Sequence, residues 1–117
     1  MFDRCNVDQL PLERVVAHGG QGEILFHRVA DAGHLSGRLN FIDVALLPPG
    51  VSIGRHTHAP NEEEFYLVLE GHGRMYRDGT TFEVGPGDLI RTSPGGSHEL
   101  TNTGQANLKL FVFEVSV

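Results

Sequence analysis

The segment Gly50-Val51-Ser52-Ile53-Gly54-Arg55-His56-Thr57-His58 sets two histidines two residues apart. Three carboxylates follow at Glu62, Glu63 and Glu64, and a third histidine, His98, arrives after a second stretch punctuated by glycine and proline. On an extended strand, residues i and i+2 project from one face about 6.6 Å apart. His56 and His58 can therefore aim both imidazoles at one point while Thr57 and Arg55 face away. Imidazole and carboxylate together are what first-row divalent metals take from proteins. The pair alone is a weak signal, because seven histidines in 117 residues yield about 0.4 such pairs by chance. Its weight comes from context. The carboxylates lead straight into the apolar run Phe65-Tyr66-Leu67-Val68-Leu69, and a similar glycine-bounded block with one more histidine recurs downstream.

The elements that must position these groups read as strands. Short runs of branched and aromatic residues alternate with Gly, Pro, Asn and Asp punctuation at spacings typical of sandwiches and barrels. Strands are expected over Glu23 to Val29, Leu39 to Leu47, Ser52 to His58, Glu64 to Glu70, Gly73 to Arg77, Thr81 to Val84, Asp88 to Arg91, His98 to Asn102 and Leu108 to Val115. Asp78-Gly79 reads as a two-residue hairpin turn, since both central residues of a type I′ turn need positive φ. Pro48-Pro49-Gly50, Gly85-Pro86-Gly87 and Ser93-Pro94-Gly95-Gly96 mark further sharp turns. Residues 1–20 read as an N-terminal arm, with Asp8 to Val16 either a brief turn of helix or a segment wrapping the domain, and residues 21–117 as one barrel domain. A chain of this size holds a single core.

Composition excludes several classes of function. A net charge of −6 with Lys109 as the only lysine argues against a nucleic-acid surface, which needs clustered basic residues. Cys5 is the only cysteine, so neither an intrachain disulfide nor a cysteine-based zinc framework is possible. No apolar run approaches the length of about 20 residues needed to cross a membrane, and Met1-Phe2-Asp3-Arg4 does not begin a secretory leader. The cytoplasm is the default compartment.

Gly50-x5-His56-x-His58, followed by Glu and then Gly71, resembles the first conserved motif of the cupins. Gly87-x5-Ser93-Pro94-Gly95-x2-His98-x3-Asn102 resembles the second, and the flanking strands extend the likeness over Glu23 to Val115. Two departures stand out. Ser93 occupies a position where the second motif usually has proline, and Glu64 lies five residues beyond His58, where the first motif usually spaces three or four. Counting back from Gly71 by the family's E-x6-G spacing selects Glu64, whereas counting forward from His58 selects Glu62 or Glu63. Strand parity puts Glu64, Tyr66 and Val68 on one face and Glu63, Phe65 and Leu67 on the other; both faces are apolar, so parity does not choose. A loop absorbs an extra residue more easily than a strand changes register, because a one-residue slip flips every side chain. That favours Glu64.

The resemblance implies an all-β fold, the double-stranded β-helix or jelly-roll cupin barrel. It also implies that His56, His58, Glu64 and His98 bind one divalent ion (Mn, Fe, Ni, Zn or Co). Four protein ligands leave positions open on a six-coordinate ion, the mark of a reactive rather than a closed structural site. The implied function is a metal-dependent enzyme of the dioxygenase, lyase, cyclase or isomerase kind acting on a small oxygenated metabolite, the alternative being a barrel that binds a small acid or sugar-like ligand without turnover. Tyr66 shares the inward face with Glu64 and is the candidate catalytic phenol, or else a packed core tyrosine. Asp43, a charge in the apolar strand Phe41-Ile42-Asp43-Val44-Ala45, must find a partner if buried. His18 reads as a loop histidine, less commonly as part of an arm over the pocket mouth; His72 and His34 read as exposed, His27 as partly buried. Because Phe65, Leu67 and Leu69 need cover from outside the barrel, a homodimer is expected.

Overall fold

The computed structural model describes residues 2–117, folded as ten strands with no helix among the described residues. They are β1 (Glu13–Val15), β2 (Ile24–Asp31), β3 (Leu39–Leu47), β4 (Ser52–Thr57), β5 (Glu62–Glu70), β6 (Gly73–Arg77), β7 (Thr80–Val84), β8 (Leu89–Thr92), β9 (Ser97–Thr101) and β10 (Leu108–Ser116). The expected strands are all present, with ends displaced by two residues at most. Between β6 and β7 the backbone takes φ 47° at Asp78 and 90° at Gly79; two successive positive values are what closes a type I′ hairpin.

The addition is β1. The segment Asp8 to Val16 contains no helical turn; instead Glu13, Arg14 and Val15 pair antiparallel with Phe26, Leu25 and Ile24 at the edge of β2. A three-residue edge strand satisfies backbone groups that would otherwise be open at that edge. Ahead of it, the Asp8 carboxylate reaches the ammonium of Lys109 on β10. Since β3 lies between β2 and β10, this ion pair carries the arm across the outside of the sheet, and it explains how the only lysine comes to be buried.

Two antiparallel sheets face each other, one ordered β1-β2-β3-β10-β5-β8 and the other β4-β9-β6-β7. This is the double-stranded β-helix. Leu47, Val68 and Leu110 from the larger sheet meet Ile53, Met75 and Leu100 from the smaller, all nearly or wholly shielded from water; each such side chain contributes about 1.5–3 kcal/mol by burial. Asn102 closes one end. Its amide donates to the carbonyls of Leu47 and Ala106 at 2.8 Å each, and its oxygen accepts from the Gly104 amide.

Alternation on β5 is strict. Glu64, Tyr66 and Val68 enter the barrel, while Phe65 and Leu67 lie outside and are only partly covered. Phe65 stacks on Phe113 of β10 with ring centroids 4.8 Å apart.

Candidate metal centre

His56 reaches the interior because β4 is bulged. Ile53 pairs with Leu100 and His56 with His98, so three steps on β4 match two on β9. The extra residue reverses side-chain parity: Ile53 faces the core above the bulge, and His56 and His58 face it below. Arg55 stays outside, its guanidinium 3.5 Å from the centre of the Tyr76 ring. His98 comes from β9 of the smaller sheet and Glu64 from β5 of the larger, so the site bridges the two layers.

Each imidazole is held by its Nδ1. His56 Nδ1 donates to the Gly54 carbonyl at 2.7 Å, and His58 Nδ1 lies 3.0 Å from the Glu114 carboxylate, an ion-pair distance. His98 Nδ1 pairs with the buried Thr92 hydroxyl at 2.8 Å. The Glu114 carboxylate is held in turn at 2.9 Å by the Asn40 amide, whose oxygen accepts from the Ser116 hydroxyl at 2.7 Å. In a neutral ring whose Nδ1 donates, as that of His56 does, Nε2 carries a lone pair. These Nε2 atoms converge. His98 Nε2 lies 3.0 Å from both His56 Nε2 and His58 Nε2, and Glu64 Oε1 lies 3.0 Å from His98 Nε2 and 3.1 Å from His58 Nε2. Facing lone pairs and a carboxylate at such distances repel unless a cation or shared protons sit among them. Donor separations near 3.0 Å also match the edge of an octahedron with bonds of about 2.1 Å. The residues fit a divalent ion.

The three glutamates part company. Glu62 Oε1 accepts from the Ala59 amide at 2.9 Å and closes the turn before β5. Glu63 turns outward and pairs with Arg91 of β8 at 2.5 Å. Glu62 Oε1 also lies 3.9 Å from His58 Nδ1, but of the three only Glu64 reaches the converging Nε2 atoms.

Burial is the largest influence on the Glu64 carboxyl and pushes it up, but hydrogen bonds from His58 and His98 outweigh it and hold the group at about 2. His56 is pushed down to about 4 by burial, and His58 is raised, first by its hydrogen bond to Glu64. Burial and then the Glu64 charge drive the Tyr66 phenol well above its ordinary range. It therefore stays a neutral hydroxyl, with its ring 5.0 Å from that of His98.

His56 and Glu64 form part of the wall of a cavity of about 290 Å³, which Tyr66, His18, Asp43 and Arg28 also line. The His18 ring lies flat on His56, with centroids 3.6 Å apart and planes within 7°. Its strap is pinned to β4: the Ala17 carbonyl accepts from the Gly54 amide at 2.9 Å, and the Gln21 carbonyl accepts from Ser52 at the same distance. The crossing is so close that a Cβ on Gly20 would meet the Ser52 carbonyl at 2.3 Å, and one on Gly54 would meet the His18 carbonyl at 2.1 Å. His18 itself is held at φ 51°, an uncommon conformation for a residue with a side chain. His18 is thus an exposed turn residue, as a loop histidine would be, whose ring nonetheless lines the cavity against His56.

Asp43 has a partner. Arg28 of β2 grips both of its oxygens at 2.9 and 3.0 Å. The remaining histidines stand apart: His72 and His34 are exposed, and His27 is partly buried on β2. Sequence reading missed Glu114, Thr92 and Arg28. Glu114 carried the signal already noticed at Asp43, a carboxylate within an apolar strand, whereas Thr92 and Arg28 carried none.

Residues 43–114 match the family described as Cupin domain. The chain is 32% identical over 91 residues to the oxalate-binding protein of Thermotoga maritima, spanning 78% of this chain and 74% of that one. It superimposes with a TM-score of 0.90 and 27% identity on a Thermotoga maritima structure described as a predicted oxalate decarboxylase, covering 96% of this chain and 97% of that one. The cupin domain of Schizosaccharomyces pombe Cnp3 shares the fold, with a TM-score of 0.80 at 13% identity over 98% of this chain and 74% of that one. The family match takes in Asp43, all four converging side chains and Glu114, and the chain belongs to the cupin family.

Proposed function

We propose that the protein is a metal-dependent cupin acting on a small oxygenated acid that chelates an ion held by His56, His58, Glu64 and His98. The observation that carries this reading is that the four donors cluster and that two of them, His56 and Glu64, stand in the wall of a cavity. A divalent ion there (Mn, Fe, Ni, Zn or Co) supplies Lewis-acid chemistry toward a carbonyl or carboxylate, or O₂ chemistry in the case of iron or manganese. The chain's own groups do the rest. Glu64 balances part of the charge, Tyr66 offers a neutral O–H to a ligand oxygen, and the apolar wall excludes water. Turnover of the dioxygenase, lyase, cyclase or isomerase kind follows from open coordination positions.

A second reading, binding without turnover, is favoured by the relative described as an oxalate-binding protein. Metal analysis of the purified protein, followed by assay of the loaded sample for consumption of chelating acids, separates the two. Consumption supports the enzyme; saturable, metal-dependent binding with every acid recovered intact supports the binder; a protein that takes up no stoichiometric metal refutes both. The same proposal places the protein in the cytoplasm, with a small-molecule ligand and a second copy of the chain as its partners, and with neither nucleic acid nor membrane among them.

A further inference from the structure

We infer that the cavity is built for a chelating monoacid with an apolar body, such as a 2-oxo or 2-hydroxy acid carrying a short aliphatic chain, in preference to a compact or doubly acidic ligand. The inference rests on the chelation reading above and deepens it. A cavity of about 290 Å³ has room for about ten water molecules at 30 Å³ each. Oxalate has only six non-hydrogen atoms, and chelation would keep it against the His56 and Glu64 end. Space remains, and much of the cavity wall is apolar: Ile24, Phe26, Phe41, Ala45, Ile53 and Val112 are among the residues that line it.

Among the described residues only one guanidinium or ammonium lines the cavity, that of Arg28, and it is already paired with Asp43. Asp43 takes both of its near N–H groups, and the guanidinium lies 4.3 Å from the centre of the Phe41 ring and 5.6 Å from that of Phe26. The pair's charges cancel. A second carboxylate on the ligand would give up its hydration to face this neutralised pair and two aromatic rings, a loss with nothing to offset it. A methylene group in the same place removes apolar wall from water and tightens binding by about fourfold.

The test titrates manganese-loaded wild-type protein calorimetrically with oxalate, pyruvate, 2-oxobutanoate, 2-oxopentanoate and 2-oxoglutarate. From pyruvate to 2-oxopentanoate the affinity should rise by about sixteenfold, two methylenes at about fourfold each. 2-Oxoglutarate should bind about tenfold more weakly than 2-oxopentanoate, the cost of an unpaired distal charge. Asp43→Asn, which releases Arg28, should raise 2-oxoglutarate affinity and leave oxalate affinity unchanged; if that variant does not fold, the wild-type series decides alone. Affinity that is flat or falls with chain length, or equal binding of 2-oxoglutarate and 2-oxopentanoate by the wild type, overturns the inference. If oxalate binds in a metal-dependent way and no longer acid does, the inference falls while chelation stands. If no acid binds, oxalate included, chelation itself is wrong.

Discussion

Glu64→Gln is the substitution that most directly tests the candidate centre, because it keeps the volume of the side chain and removes only the charge. The structure sets the magnitude. The Glu64 carboxyl is held at about 2 against an ordinary 4.5, and at about 1.4 kcal/mol for each unit of pKa this amounts to about 3 kcal/mol of preference for the charged form. In the metal-free protein that preference is supplied by protons on His58 and His98. A divalent ion in the same place carries more charge, so the carboxylate's contribution to metal binding should be at least as large. Three kcal/mol corresponds to about a hundredfold in affinity. The assay is competition against a chromogenic chelator with manganese, cobalt or zinc, alongside thermal unfolding of the metal-free protein to confirm that the barrel persists. Glu63→Gln removes only the outward pair with Arg91, worth about 0–1 kcal/mol of stability, and Glu62→Gln weakens the turn at Ala59 by about 1 kcal/mol. Neither should change metal affinity by more than about threefold. Retention of wild-type affinity by Glu64→Gln, with loss in Glu62→Gln or Glu63→Gln, would refute the ligand assignment. Retention by all three and by His98→Ala would end the metal-site reading altogether.

Glu114→Ala removes the carboxylate that orients His58 through Nδ1 and should cut metal affinity by about 10–100-fold without touching a ligand; an unchanged dissociation constant counts against that role. His18→Ala should weaken metal binding by up to about tenfold through loss of the ring stacked on His56, with His18→Phe restoring most of it and His34→Ala and His72→Ala showing no effect, all by the same competition assay. Acid should expel the metal. Protons reach His58, its pKa being raised, before His56, at about 4, so stoichiometric metal after dialysis at about pH 4 contradicts a three-histidine site. In the metal-free protein, the lowered His56 pKa gives stability present above 6.5 and lost as pH falls through about 4; that of Glu64 is present above 4.5 and lost toward about 2. The raised His58 pKa gives stability that is complete below 6.5 and lost only as pH rises. Urea midpoints should therefore fall from about pH 6.5 downward, the raised Asp43 and Glu114 carboxyls offsetting part of the loss, and a midpoint rising with acid over that whole range contradicts the assignment. Phe65, Phe111, Phe113 and Leu67 leave the outer sheet face only partly covered, which predicts a homodimer; a sharp monomer mass by light scattering at micromolar concentration opposes it.

What the sequence made legible was whatever neighbouring residues decide between themselves. The hairpin at Asp78-Gly79 is a two-residue choice of backbone conformation, and the strands are runs in which side-chain shape sets the preference. Choosing Glu64 over its neighbours needed one further step, that a turn absorbs an extra residue where a strand cannot. The Ala59 to Glu62 turn is where it does so. Hidden from the sequence were pairings fixed by the closed barrel: Asp43 with Arg28 across β2 and β3, His58 with Glu114 between the end of β4 and β10, and His18 against His56. The bulge in β4 shows why local pattern could not reveal them. Alternation places His56 on the face of Ser52 and Gly54; the extra residue puts it instead on the face of Ile53, which lines the cavity. Gly20 and Gly54 make the same point from the other side. Each looks like an ordinary turn or strand glycine, yet each is required because a second backbone passes where its Cβ would be. An alanine at either position should push the strap off β4 and take His18 away from His56, although neither glycine has a side chain to offer the site. The local chain supplies the four candidate donors, and the long-range crossings decide which way they face and what covers them.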